Sequence, residues 1–164
     1  MDREGLKWTA LGFAFIATFL LVAFVTGDWL AEVMPFFRLP ALRALAPAGY
    51  PALLFGYGLV LWATAAFGLY GHGTPLPEAA PKRLVTQGPY RHIRNPIYLG
   101  WFLGWGGLCL VTGNLTYGGL GLLLLVAGTA YATFGERRAL TGSFGPEFER
   151  WWRETPMFVP RWRP

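Results

Sequence analysis

The residues best suited to chemistry crowd into one stretch, 84–100, which reads LVTQGPYRHIRNPIYLG. Arg91, His92, Arg94 and Asn95 fall within five positions, and Pro96 then opens an apolar run. Polar groups this dense at a helix mouth cost free energy unless they are paired or bind a ligand. Arg91 and Arg94 have the donor geometry that holds a carboxylate or a phosphate. Tyr90 offers a ring to stack on a heterocycle, and Asn95 offers both a donor and an acceptor. The competing reading is a basic loop that touches lipid phosphates, and spacing alone leaves both open. Glu136 is a second candidate. It sits where a later apolar run ends, followed by Arg137 and Arg138. A carboxylate at that depth needs a partner or serves as an acceptor. It could accept from the hydroxyls or amino group of a ligand, or pair with Arg91 or Arg94, and the two roles are compatible. Gly71 and Gly73 flank a loop where a ligand could approach the backbone, with His72 between them. Gly56 and Gly58 fit close helix packing instead.

These side chains need elements to hold them, and composition says which kind. Hydrophobic residues make up 54% of the 164 residues and charged ones 14%, against about 25% charged in soluble domains. Eight Trp, thirteen Phe and seven Tyr suit the aromatic belts of membrane interfaces. A net charge of +5 would suit nucleic acid in a soluble chain. Beside apolar runs it instead marks the cytoplasmic flank of a membrane protein, so no nucleic-acid partner is expected. The lone Cys109 can form no intrachain disulfide, and the two histidines lie 20 residues apart, so no metal site is expected.

Four apolar segments stand out, at residues 8–30, 51–70, 97–112 and 115–134. Spanning a bilayer takes roughly 20 residues, so the third is short. Gly113-Asn114 is a tight turn signal that makes the last two a helical hairpin. The segment between the first two spans holds Arg38 and Arg43, and the hairpin turn holds no charge. The other twelve Lys and Arg fall in the N-terminus, the 71–95 loop and the tail after Gly135. Four spans put those three regions on one side, which the positive-inside rule makes cytoplasmic. The expected architecture is therefore an all-α integral membrane protein with about four transmembrane helices, a re-entrant cytosolic loop, a helical hairpin and a C-terminal amphipathic helix. Both termini are expected in the cytoplasm, and the first helix is expected to stay uncleaved. Residues 28–50, broken by three prolines, are expected along the outer interface, and residues 71–81 are too rich in Gly and Pro for a regular helix. From Pro146, a short helix would carry Phe148, Trp151 and Trp152 on one face, as an interfacial helix does. Nothing reads as a phosphate-cradling loop, a zincin helix or a nucleophile elbow. The lack of strand–helix alternation excludes a soluble dinucleotide fold.

The 84–100 stretch closely resembles the signature of the isoprenylcysteine carboxyl methyltransferase and phospholipid methyltransferase superfamily. That signature is a Gly-Pro-Tyr turn, then Arg-His-Pro or Arg-Asn-Pro, then Tyr and Gly at fixed offsets. A second block, ERRALTGSFGPEFERWWRETPMFVPRW, is similar to the family's acidic dipeptide, Leu, Phe-Gly, aromatic and terminal Val-Pro-Arg. GTPLPEAAPKRLV looks like bacterial members. The resemblance covers residues 71–164, the expected cofactor-binding core of a single domain that includes a two-helix part, 1–70. It implies an integral-membrane enzyme of the inner membrane that uses S-adenosyl-L-methionine and releases S-adenosyl-L-homocysteine.

Carried over, the cofactor contacts fall on Lys82, Arg83, Leu84 and Val85 of the loop, on Tyr90, on Asn95, Pro96, Ile97 and Tyr98, and on Glu136. Arg94, Asn95 and Glu136 form the implied catalytic set. Methyl transfer from a sulfonium needs orientation and a desolvated nucleophile more than acid–base help. Two positions depart from the family's patterns, and a third takes the less usual of the signature's two forms. Arg137 stands where many members have a second acid. Ala132 stands where eukaryotic prenylcysteine enzymes have an arginine, and Asn95 replaces the usual histidine. The latter two point toward the bacterial branch and away from a prenylcysteine carboxylate. A phospholipid amine, a prenyl-type carboxylate and a small thiol stay open as the lipophilic acceptor. The alternative is a non-catalytic membrane protein that keeps the fold for lipid binding or scaffolding.

Overall fold

The computed structural model describes residues 3–73 and 81–160. Most of the Gly- and Pro-rich 71–81 stretch, and Arg161 of the Val-Pro-Arg ending, lie outside the described residues. Helix α1 spans Arg3–Val33. Two 3-10 turns, Pro35–Phe37 and Pro40–Leu45, lead into α2, Ala46–Ala66. After the loop come α3, Pro96–Thr112, and α4, Leu115–Tyr131. The last helix, α5, spans Arg137–Glu154. Three helical stretches, Gly5–Val33, Pro40–Gly71 and Leu115–Glu154, are long and apolar enough to cross a membrane. The fourth apolar helix, α3, has 17 residues, about 25 Å at the α-helical rise, and is the short span that the sequence predicts. The fold is all-α, as expected, and many large apolar side chains point outward: Leu54 and Phe55 on α2 and Leu123 and Val126 on α4 are exposed. In water such surface would be unstable, whereas lipid solvates it.

Inside a bilayer, helices associate through close packing more than through the hydrophobic effect. Glycines supply that closeness between α2 and α3. A Cβ on Gly56 would meet the backbone nitrogen of Gly104, one on Gly100 the Gly56 carbonyl oxygen at 2.7 Å, and one on Gly107 the Gly49 carbonyl oxygen at 2.6 Å. Gly58 differs from its neighbour, because its Cβ position has nothing within 4 Å. It therefore plays no part in the close packing that the sequence suggests for it. Above the glycine seam an aromatic stack fills the core. Trp105 stacks on Tyr117 with centroids 5.7 Å apart, and Phe19 of α1 meets Trp101 edge-on at 4.9 Å.

The hairpin turn is held as its residues suggest. Gly113 adopts φ 71 and closes α3, and Asn114 caps α4 by accepting from the Thr116 N–H at 3.0 Å. Asn114 also donates to the Gly27 carbonyl at 3.2 Å, which ties the turn to the end of α1. The 28–50 segment does not simply lie along the interface. Its Leu39 N–H donates to the Gly113 carbonyl at 2.7 Å and Arg43 Nε to the Thr112 carbonyl at 3.0 Å, so it clasps that turn. The hairpin turn and the 3-10 turns thus share one end of the bundle. The loop before α3 and the start of α5 share the other.

The C-terminal helix is longer than its pattern suggests. A π-helical turn, Ala132–Glu136, carries α4 directly into α5. Gly142, Ser143 and Gly145 are poor helix formers, and they mask this continuity in the sequence. At Gly145 the backbone turns (φ 54, ψ −131), and Pro146 begins the second half. That half folds back: Glu149 accepts from Arg137 at 3.2 Å and from Thr141 at 2.9 Å. In a straight helix those residues would lie about 18 and 12 Å away along the axis. The apolar face of the amphipathic helix therefore points inward, with Phe148 fully buried. Gly145→Ala is expected to destabilise the protein by about 1–3 kcal/mol, because only glycine adopts that backbone without strain. Gly142→Ala, at an ordinary helical position with open space around it, is the control expected to lose nothing. Thermal unfolding in detergent reads both.

Candidate functional site

A cavity of about 250 Å³ opens between the loop before α3, the π-helical turn after α4 and the folded-back half of α5. The two sequence blocks that carry the candidate residues, far apart in the chain, form facing walls of it. From the first come Leu84, Val85, Tyr90, Arg94 and Asn95, and then Pro96, Ile97 and Tyr98 at the start of α3. From the second comes Glu136. Lys82 and Arg83 are not in the wall: both are exposed, and the Lys82 N–H bonds the Gly71 carbonyl at 2.8 Å. Arg91 and His92 are exposed and also lie off the wall.

The loop is set by its turn residues. Gly88 takes φ 62, and Gly88–Arg91 forms a 3-10 turn that drops Tyr90 inward. Its ring meets Phe67 edge-on at 5.1 Å. Burial, with the nearby Glu136 charge, holds the Tyr90 phenol well above its ordinary pKa, so it stays a neutral donor. Phe67 begins a second π-helical turn, Phe67–Gly71, at the end of α2. Gly71 closes on the loop: a Cβ there would lie 2.7 Å from Val85 Cγ2 and 2.8 Å from Pro81 Cβ. His72 takes φ 52 beside it and lies outside the cavity wall.

Asn95 occupies the cap position of α3, yet its side chain makes no capping bond. It is 5% exposed, and its Nδ2 has no hydrogen-bond partner. An asparagine at a helix start ordinarily satisfies the free N–H groups there. A buried donor left open beside a cavity is costly unless something in the cavity accepts from it. Arg94 Nε is likewise buried without a partner. Burial, then the nearby Arg137 charge, lowers the Arg94 guanidinium pKa. Among the described residues neither Arg94 nor Glu136 forms an ion pair. The salt bridge that the sequence allowed between Glu136 and Arg91 or Arg94 is not formed.

Several wall residues carried no signal of that role. Phe15 reaches the cavity from α1 and Trp101 from α3, while Ala132, singled out by the resemblance, joins them from the π-helical turn. Phe148, Trp151 and Trp152 belong to it as well. Their shared helical face was visible in the sequence, but a face packed on protein and one laid on lipid have the same pattern. The tail is fastened to the loop: Trp151 Nε1 donates to the Tyr90 carbonyl at 3.1 Å, and the Arg94 N–H to the Pro156 carbonyl at 2.8 Å. Arg137 lies off the cavity and pairs with Glu149.

The cavity thus offers open donors on one wall, a carboxylate on the other and aromatic rings between. That set suits a molecule with a flat heterocycle, hydroxyl groups and a charged end. A family model described as phospholipid methyltransferase matches residues 45–147. The chain belongs to the phospholipid methyltransferase family. The matched residues take in α2, the loop, α3, α4 and the first half of α5, and hence most of the cavity wall. Among curated relatives, methanethiol S-methyltransferase 1 of Bradyrhizobium diazoefficiens is 31% identical over 52% of the chain and 29% of its own length. The nickel-cobalt-cadmium resistance protein NccN of Alcaligenes xylosoxydans xylosoxydans is 36% identical over 48% and 36%. Methanethiol S-methyltransferase of Crocosphaera subtropica is 25% identical over 51% and 31%. The chain therefore spans about a third of the length of these relatives. No solved structure matches it.

Proposed function

We propose that this chain is a membrane-embedded methyltransferase that takes its methyl group from S-adenosyl-L-methionine bound in the cavity. One observation carries the reading: Arg94, Asn95 and Glu136, from two distant blocks, meet around one cavity, and Arg94 Nε and Asn95 Nδ2 are buried there with no hydrogen-bond partner among the described residues. The donor's parts match what the wall offers. Arg94 would hold the carboxylate of its amino acid end, and Asn95 would donate beside it. Glu136 would accept from the ribose hydroxyls or the amino group. Tyr90 and Tyr98, with Leu84 and Val85, would line the nucleoside. When bound, this cofactor supplies an electrophilic methyl group on a sulfonium. The protein's own work is to orient the reactants and exclude water, which in-line displacement rewards most. No side chain is assigned as a base.

The acceptor would enter past Phe15, Phe67, Trp101 and Ala132, a wall without charged groups. Such a wall suits a neutral, lipophilic or small molecule, and the names of two relatives support a small thiol as the acceptor class. The positive-inside rule supports a cavity that faces the cytoplasm.

Label transfer tests the reading. Purified protein with methyl-labelled cofactor and methanethiol is expected to give a labelled thioether. Label found only in added membrane lipid would replace the thiol with a lipid acceptor. No label in either arm, with cofactor binding intact, would favour a non-catalytic lipid-binding role.

A further inference from the structure

Trp152 stands where two positive charges meet. The Arg94 Cζ lies 4.2 Å from its ring centroid and the Arg137 Cζ 5.3 Å. Like charges so placed repel, and each guanidinium is balanced differently. Arg137 has a carboxylate, Glu149 at 3.2 Å, which also accepts from Thr141. Arg94 has none among the described residues, and its Nε is buried without a partner. Among the described residues, Arg94 lies against the face of Trp152. A guanidinium over an indole is held by the ring quadrupole and keeps its edge free for hydrogen bonds. The ring is fixed in turn. Trp151 is bonded to the Tyr90 carbonyl, and the Pro156 and Met157 carbonyls accept from the Arg94 and Asn95 N–H groups at 2.8 and 3.3 Å. Trp152 is thus tethered on both sides to the loop whose arginine it faces, and it lies past the residues matched by the family.

We propose that Trp152 is a positioning residue whose ring holds the Arg94 guanidinium toward the cavity to receive the carboxylate of the methyl donor's amino acid end. This rests on the donor reading given under Proposed function. It predicts selectivity between two ligands, since 5′-methylthioadenosine keeps the nucleoside of S-adenosylhomocysteine but lacks the amino acid end.

The test is calorimetry of both ligands with the full chain in detergent. Trp152→Leu is expected to weaken S-adenosylhomocysteine about tenfold, and Trp152→Phe about threefold, with methylthioadenosine changed less than about twofold in both. In an Arg94→Gln background, Trp152→Phe is expected to cost nothing further, because the two residues act as one unit. The phenylalanine variant keeps an aromatic core and guards against a leucine variant that fails to fold. Equal losses for the two ligands would reduce Trp152 to a wall, and additive losses in the double variant would sever it from Arg94. Either result overturns the proposal. If the wild type binds methylthioadenosine and S-adenosylhomocysteine equally well, the donor site stands but the role of Trp152 falls. If it binds neither, the donor reading itself falls and takes this one with it.

Discussion

Glu136→Ala is expected to weaken binding of S-adenosylhomocysteine by at least about tenfold, or 1.4 kcal/mol. The carboxylate closes the π-helical turn that joins α4 to α5, lines the cavity and has no cation beside it among the described residues. An unpaired carboxylate in such surroundings is costly unless it has a partner to accept from. Its removal deletes the acceptor opposite Arg94 and Asn95 while leaving the apolar wall in place. Glu136→Gln separates charge from hydrogen bonding. If the ribose hydroxyls are the partner, the amide keeps much of the affinity. If the donor's ammonium is the partner, it loses nearly as much as alanine. Calorimetry on the three proteins reads both contrasts, and unchanged affinity in Glu136→Ala would remove this residue from the site.

The second large effect is structural. Gly56→Ala would set a methyl group against the Gly104 nitrogen, the Gly100 oxygen at 2.7 Å and the Gly104 Cα at 2.8 Å. All three are backbone atoms of α3 and cannot step aside by changing rotamer. Overpacking costs about 1–3 kcal/mol where side chains can adjust, so this substitution is expected at or above the top of that range. The harm reaches the cavity, because α3 starts at Pro96 and its displacement moves Asn95 and Tyr98. Gly58→Ala, two residues away with open space around it, is expected to be tolerated. Unfolding midpoints in detergent, with ligand binding at low temperature, distinguish the two. Equal stability of both variants would mean that the helices are not packed through this seam.

Much of this architecture is legible because the bilayer limits the choices. Runs of about 20 apolar residues must be helices there, and Gly113-Asn114 is a turn whose chemistry is local. The candidate site is legible in part for a similar reason: Arg94, Asn95 and Glu136 are out of place in an apolar chain, although Arg91 and His92 stand out equally and lie off the cavity wall. Where sequence reasoning stopped, the cause was a tertiary one. The helical face of Phe148, Trp151 and Trp152 gives the same periodicity whether it meets lipid or protein, and only the turn at Gly145 decides which. Gly56 and Gly58 read identically, yet only one faces α3. Lys82 and Arg83 sit beside the wall residues Leu84 and Val85 in sequence, but the bond from Lys82 to Gly71 turns that end of the loop outward.

The measurement that bears most directly on the central claim is calorimetric titration of S-adenosylhomocysteine into the purified wild-type protein in detergent. The account predicts saturable one-site binding that Arg94→Gln, Asn95→Ala and Glu136→Ala each weaken. A folded protein that takes up no ligand, or one whose affinity ignores all three substitutions, would contradict it.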